Sequence, residues 1–179
     1  MKLDQIINQP LIEADRFVLR PLRRSDMGLI EHYASDERVA RMTTSIPHPL
    51  PPGATEAFVT RAMSEPRDED VWAIDATPTG GAELNGLISL TRMDRNQSEV
   101  GYWIAPAQWN TGLASEALAA LVAANPMRND HMFGSVFQDN PASARVLIHC
   151  GFEYLGDAES FSVARDGTVP TWTYSKKLD

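Results

Sequence analysis

Between Glu99 and Glu116 the chain reads EVGYWIAPAQWNTGLASE, a run able to hold an anion. Val100, Tyr102 and Ile104 alternate with Glu99, Gly101 and Trp103, and β-branched and aromatic residues dominate, so the run opens as a strand. Pro106 has no N–H for a ladder and ends it near Ala105. A polar turn through Gln108, Asn110 and Thr111 reaches Gly112, and Ala114, Glu116, Ala117, Leu118, Ala119 and Leu121 then form a helix, with Thr111 or Ser115 available to cap its first turn. Strand, glycine turn and helix leave several backbone N–H groups aimed at one point beside the positive end of a helix dipole, which suits a phosphate or pyrophosphate. A single glycine before a helix is more commonly an ordinary turn. The run has neither the Lys-Ser/Thr of a P-loop nor a G-x-G-x-x-G.

The elements around this run predict an α+β sheet. Arg16 to Leu22 reads as a first strand, after which Ser25 and Asp26 cap a helix with Leu29, Ile30 and Tyr33 on its apolar stripe, ending before the charged run Asp36 to Arg41. Four prolines between Met42 and Gly53 predict a stiff, irregular loop, and a helix over Ala54 to Met63 follows it. Val71–Ala76 and Leu84–Leu90 form strands joined through Gly80 and Gly81. With the run at Glu99 these make four strands in antiparallel succession. Met132–Gln138 is a strand and Ala142–His149 a helix; Phe152–Phe161 and Thr171–Leu178 are strands joined through Asp166 and Gly167. Strand, helix, strand, helix across Glu99–His149 predicts a parallel pair with helices packed on the sheet.

Composition bounds the function. With 179 residues, 43% of them hydrophobic, the chain fits one domain, 1–179, with 1–13 as an N-terminal extension; such a domain buries on the order of 70% of its unfolded surface. A net charge of −8 argues against non-specific nucleic-acid binding, which needs clustered Lys and Arg, and favours cationic partners such as amines. The longest apolar stretch, Ala117 to Ala124, is far short of the roughly 20 residues that span a bilayer, and no signal-peptide core follows Met1, so a cytoplasmic protein without membrane partners is expected. Cys150, the single cysteine, excludes an internal disulfide and a cysteine metal cluster, and reads as a small buried residue.

Two motifs in this order, IAPAQWNTGLASEAL and DNPASARVLIHCGF, resemble the paired cofactor motifs of the GNAT N-acetyltransferase superfamily, in its ribosomal-protein N-terminal acetyltransferase (RimJ/RimL-like) branch. The first resembles Arg/Gln-x-x-Gly-x-Gly/Ala at Trp109, Gly112 and Ala114; the second matches Asn140, Ser143, Arg145, Val146, Leu147, Gly151 and Phe152. RFVLRPLRRSD resembles the start of the same branch, so the likeness runs from Asp15 onward. It departs at Asn110, where the branch often has glycine.

This resemblance implies a mostly antiparallel mixed sheet, splayed between two parallel strands and flanked by about four helices, with acetyl-CoA in the gap. Backbone groups near Ile104 would pair with the pantetheine amides. The N–H groups of Thr111, Gly112, Leu113, Ala114 and Ser115 would hold the pyrophosphate, Asn140 would contact the pantetheine arm and Arg145 would reach a CoA phosphate, with Trp109, Asn110 and Ser143 also among the cofactor-binding residues. It also implies acetyl transfer to a primary amine, on a protein or peptide N-terminus or a small molecule, by a monomer or homodimer. Such a reaction needs a neutral amine, a stabilised oxyanion and a proton for the thiolate. Glu99 is the candidate base, the Ile104 N–H the oxyanion donor and Ser143 the proton donor, with Tyr174 and Tyr154 as outside choices. Neutralising an α-amine at pH 7 costs about 1 kcal/mol and a lysine-type amine about 4.6 kcal/mol. The alternative is a non-catalytic acyl-CoA sensor or interaction module.

Overall fold

The computed structural model describes residues 9–179. In chain order, β1 (Ile12–Glu13) and β2 (Val18–Pro21) lead into α1 (Met27–Ala34), α2 (Glu37–Ala40) and α3 (Ala54–Ala62). Next come β3 (Glu69–Asp75), β4 (Gly86–Met93) and β5 (Gln97–Ile104), then α4 (Leu113–Ala124), β6 (His131–Phe137), α5 (Pro141–His149), β7 (Glu153–Ser162) and β8 (Gly167–Lys177). All eight strands form one sheet in the order β1-β2-β3-β4-β5-β6-β8-β7. Every neighbouring pair is antiparallel except β5 and β6, the parallel pair expected from the sequence. No helix among the described residues is long and apolar enough to cross a membrane.

Alternation along the strands gives the sheet two apolar faces. On one, Trp72, Ile74, Ile88, Leu90, Val100, Ile104 and Met132 pack with Leu113, Leu118 and Leu121 of α4 and with Ala144 and Leu147 of α5. The other buries Val71, Ala73 and Leu87 against Leu22, Ile30, Val59 and Ala62, which belong to α1, α3 and the segment before them. Each fully buried Leu or Ile contributes about 1.5–3 kcal/mol from apolar transfer, so helices cover both sides of β3, β4 and β5. The second apolar face ends toward β6, where Glu69, Ser89, Thr91, Glu99, Gly101 and Ser135 border an open space instead.

Several local expectations are corrected. The first helix ends before the charged run, as expected, but that run is itself helical: Asp36 caps a further helix, α2, by accepting from the Arg38 N–H at 2.9 Å. Asp26 does not cap α1: its carboxylate accepts from Arg20 at 2.8 and 2.9 Å and from the Arg23 N–H at 2.9 Å, inside the fold. A buried guanidinium needs such a partner more than a helix end reachable by water does. Residues 12 and 13, read as part of an extension, pair with β2, and the Trp72 indole donates to the Pro10 carbonyl at 2.8 Å.

Candidate active site

The parallel ladder between β5 and β6 is short. It joins Gln97 to His131, Ser98 to Met132, Glu99 to Phe133 and Val100 to Gly134, and stops. Beyond it β5 keeps its partner β4 as far as Ile104, and β6 keeps β8 as far as Phe137, so the two strands part between two intact half-sheets. Gly134 sits at the fork, where a Cβ would stand 2.7 Å from Leu147 Cδ2 and 3.4 Å from Val100 Cγ1. The Ala105 N–H donates to the Asn85 carbonyl on the β4 side at 2.9 Å. Successive peptide groups of a strand point to opposite edges, so the N–H groups of Tyr102 and Ile104 turn toward the gap.

A cavity of about 560 Å³ runs through this split. On the α1–α3 side its floor includes Glu69, Thr91, Glu99 and Gly101; Ser135 to Phe137 line the β6 bank, and Asn140, Ser143 and Leu147 close the far side. The proline-rich loop supplies a wall from Met42 to Pro47. Arg165, near the tip of the β7–β8 hairpin, fastens that wall. It donates to the Arg41 carbonyl at 2.9 Å and to Asp139 at 2.7 and 3.1 Å, with its guanidinium 4.8 Å from the Phe137 ring centroid. The Val163 N–H donates to the Thr44 carbonyl at 3.1 Å beside it.

Glu99 opens into the cleft from β5. Crowding by the cleft walls pushes its carboxyl above the ordinary range, and the Glu69 carboxylate adds to the shift. Glu69 stands on the same face, because Glu69 pairs with Thr91 and Thr91 with Glu99. On the opposite face the Tyr102 phenol donates to the Ser143 carbonyl at 3.0 Å and accepts from the Ser143 hydroxyl at 3.0 Å. Burial pushes this phenol far up, against the opposing effect of the Ser143 hydrogen bond, so Tyr102 keeps its proton through neutral pH. The Asn140 side chain caps α5, accepting from the Ser143 N–H at 3.3 Å.

A second group of expected residues lies outside this cavity, past the end of β5. The Trp109 indole donates to the Ile104 carbonyl at 2.8 Å, which folds the turn back on the strand, and Arg38 lies 5.5 Å from its ring centroid. Asn110 takes a left-handed φ of 64°, a conformation asparagine tolerates, so the missing glycine costs the turn little. Gly112, at φ 80°, caps α4 without a side chain. The expected Thr111 cap is corrected: its hydroxyl donates to the Gln108 carbonyl at 2.6 Å, and Ser115 makes no cap either. The first α4 N–H to find an intrahelical acceptor is that of Glu116, on Gly112, which leaves those of Leu113, Ala114 and Ser115 open. Arg16 stands over this end, donating to Glu116 at 2.6 Å and to the Thr111 carbonyl at 3.2 Å.

Of the sequence candidates, the structure thus brings Glu99, Asn140 and Ser143 into one cavity and sets Ile104, Trp109, Asn110, Thr111, Gly112, Leu113, Ala114 and Ser115 along the strand end and helix start beyond it. Arg145 is exposed on α5. The two outside choices lie elsewhere: Tyr174 is buried in the core and Tyr154 is exposed on β7 beside Asp157. Sequence reasoning missed Tyr102, Glu69, Arg16 and Arg165. Only Tyr102 carried a signal, as the one residue bearing a hydroxyl on the expected strand.

Residues 16–153 match the model of the acetyltransferase (GNAT) domain family. The chain belongs to this family. The uncharacterized N-acetyltransferase YoaA of Bacillus subtilis is 27% identical to this acetyltransferase over 175 residues, covering 93% of this chain and 96% of YoaA. A GNAT-family acetyltransferase from Bacillus anthracis superposes with a TM-score of 0.78 at 21% identity, over 94% of this chain and 98% of that one. The ribosomal alpha-N-protein acetyltransferase RimL, solved with coenzyme A, gives a TM-score of 0.80 at 16% identity, over 95% and 99%. The acetyltransferase therefore has the fold of the RimJ/RimL-like branch that its paired motifs resemble.

Proposed function

We propose that this chain transfers an acetyl group from acetyl-CoA to a primary amine by direct attack within a ternary complex. The observation that carries this reading is the fork after Val100 and Gly134, which places a free strand edge between a carboxylate on one face and a protonated phenol on the other. An extended amide chain fits that edge as an added strand, with the Ile104 N–H as a donor. The open N–H groups at the start of α4, with Arg16 beside them, suit a pyrophosphate. RimL was solved with coenzyme A, in keeping with this assignment.

In this reading Glu99 accepts a proton from the incoming ammonium, directly or through water. The nitrogen lone pair then attacks the thioester carbonyl carbon, forming C–N and moving an electron pair onto oxygen, and the Tyr102 N–H, the first donor past the ladder, stabilises that oxyanion ahead of the Ile104 N–H. Collapse breaks C–S. The Tyr102 phenol, itself hydrogen-bonded by Ser143, delivers a proton to the leaving thiolate and regains one from the amine nitrogen through water. Ser143 thus becomes the partner of the donor rather than the donor. Glu99 and Ser143 both line the cleft, which favours catalysis over the sensor alternative.

Melting with and without acetyl-CoA, followed by thiol release against a panel of amines and peptides, tests this. Ligand at about 100 times its dissociation constant adds roughly 2.7 kcal/mol. A shift with release supports the reading; the absence of any shift overturns it, and a shift without release on any amine returns the sensor.

A further inference from the structure

Three charged side chains line the cavity among the described residues: Arg61, Glu69 and Glu99. The two carboxylates share the floor, two strands apart in one row across Thr91, at a backbone separation of roughly 9.5 Å from the normal strand spacing. Their burden is not relieved from within the fold. The basic residues close to the start of β3 are engaged elsewhere, Arg67 with Glu65 and Asp70 and Arg92 with Asp70, whose carboxylate the alternation of β3 turns to the face opposite Glu69. Arg61 is exposed at the rim, with its guanidinium 5.9 Å from the Phe58 ring centroid, where water and salt screen it. The field felt by Glu99 is correspondingly that of Glu69.

A second observation comes from the same chamber. Thr171, 2% exposed, and Thr55, 4% exposed, line the cavity, and neither hydroxyl has a hydrogen-bond partner among the described residues. Thr171 pairs with Phe137, and Phe137 shares its strand face with Phe133, the partner of Glu99, so the Thr171 hydroxyl stands on the face that carries both carboxylates. Each of these hydroxyl oxygens has almost no accessible surface of its own, so it reaches a ligand in the chamber only after its side chain turns.

Resting on the acetyl-transfer reading, we propose that the acceptor is a small dicationic aliphatic amine, with its reacting nitrogen at Glu99 and its second cationic group held by Glu69. Glu99 takes a proton from the first ammonium and so cannot also hold a charge there after transfer begins; Glu69, outside the reacting centre, takes no part in that proton transfer and anchors the other end. A chain of a few methylenes spans the two positions past Thr91. An α-amine of a peptide presents one charge and leaves Glu69 unmatched, and an amino acid places a carboxylate against it.

Three acceptors of equal length decide the matter: butylamine, diaminobutane and γ-aminobutyrate, each assayed by thiol release with the full chain and acetyl-CoA. Diaminobutane is expected to exceed butylamine in kcat/KM by about tenfold or more, the size of one partly desolvated charge pair, with γ-aminobutyrate the poorest. In Glu69→Gln the ratio of diaminobutane to butylamine should collapse toward one, with a retained acetyl-CoA melting shift showing that the variant folds. Added salt should shrink the same ratio in the unmodified protein, which keeps the test alive if that variant fails to fold. Equal rates for butylamine and diaminobutane, a faster γ-aminobutyrate, or release on alanylalanine amide alone would each overturn the dicationic acceptor while leaving acetyl transfer standing. Loss of the acetyl-CoA melting shift in the unmodified protein would overturn both.

Discussion

Gly134→Ala is expected to destabilise the fold and spoil the site through one contact. The added Cβ would lie 2.7 and 3.0 Å from the two methyls of Leu147 and 3.4 Å from Val100 Cγ1, whereas carbon atoms rest at about 3.5–4.0 Å. Leu147 is fully buried between α4, α5 and the sheet, so its methyls have nowhere to retreat and α5 must move away from β6 by several tenths of an ångström. Overpacking of this kind costs about 1–3 kcal/mol. At about 2–4 °C per kcal/mol for a chain of this size, the melting temperature should fall by about 2–12 °C. Ser143 lies one turn before Leu147 on the same face of α5, so the movement also pulls its hydroxyl from Tyr102 and lowers thiol release. A double-mutant cycle with Leu147→Ala isolates the cause. Leu147→Ala alone should cost about 2–5 kcal/mol, and in that background the alanine at 134 should cost nearly nothing, because the space it needs is already empty. An equal cost of Gly134→Ala in both backgrounds, or a melting temperature that stays or rises, would refute the argument that Leu147 is the steric opponent.

Tyr102→Phe removes a hydroxyl that both donates to and accepts from Ser143, at about 0.5–1.5 kcal/mol with a large loss of rate; Ser143→Ala, which leaves the bond to the Ser143 carbonyl, should destabilise less, and urea melts that rank them the other way would contradict this. Because Glu99 holds its proton above the ordinary glutamate range, the acid limb of kcat/KM against pH should lie above that range, and Glu69→Gln should move it down by removing a like charge. The sign for stability is opposite to that of an ion-paired acid: the raised folded-state value favours the protonated form, so this contribution is present below the ordinary range and lost as pH rises through the raised value. Glu99→Gln should accordingly be at least as stable as the unmodified protein at neutral pH while losing activity, and denaturation at two pH values checks it. Arg165→Ala frees the wall at Arg41 and Met42 and should raise KM for the amine more than for acetyl-CoA. Arg165 also holds the Asp139 carboxyl below its usual range, so that half-exposed pair contributes stability above the range and loses it as pH falls through the depressed value; the difference, at most about 1 kcal/mol, should vanish in acid.

What the sequence determined by itself was the local grammar of the site. Pro106 ends β5, Gly112 opens α4, and Asn140 caps α5 through a residue three positions on, so the strand-turn-helix units and their motif resemblance were legible without coordinates. The parallel pairing was legible too, because a strand that follows a helix crossover returns in the same direction. Caps were less so. Thr111 and Asp26 had the right chemistry for helix ends but met nearer or more demanding partners, Gln108 and Arg20. The point at which β5 and β6 part, the row from Glu69 through Thr91 to Glu99, the contact of Tyr102 with Ser143 across 41 residues, and the reach of Arg165 to Arg41 across 124 were decided only by tertiary structure. Periodicity tells which face of a strand a residue occupies, but register between strands is set by the sum of side-chain packing over the whole sheet. A shift of one residue in β3 would have turned Glu69 to the opposite face, and no local feature of its sequence forbids that.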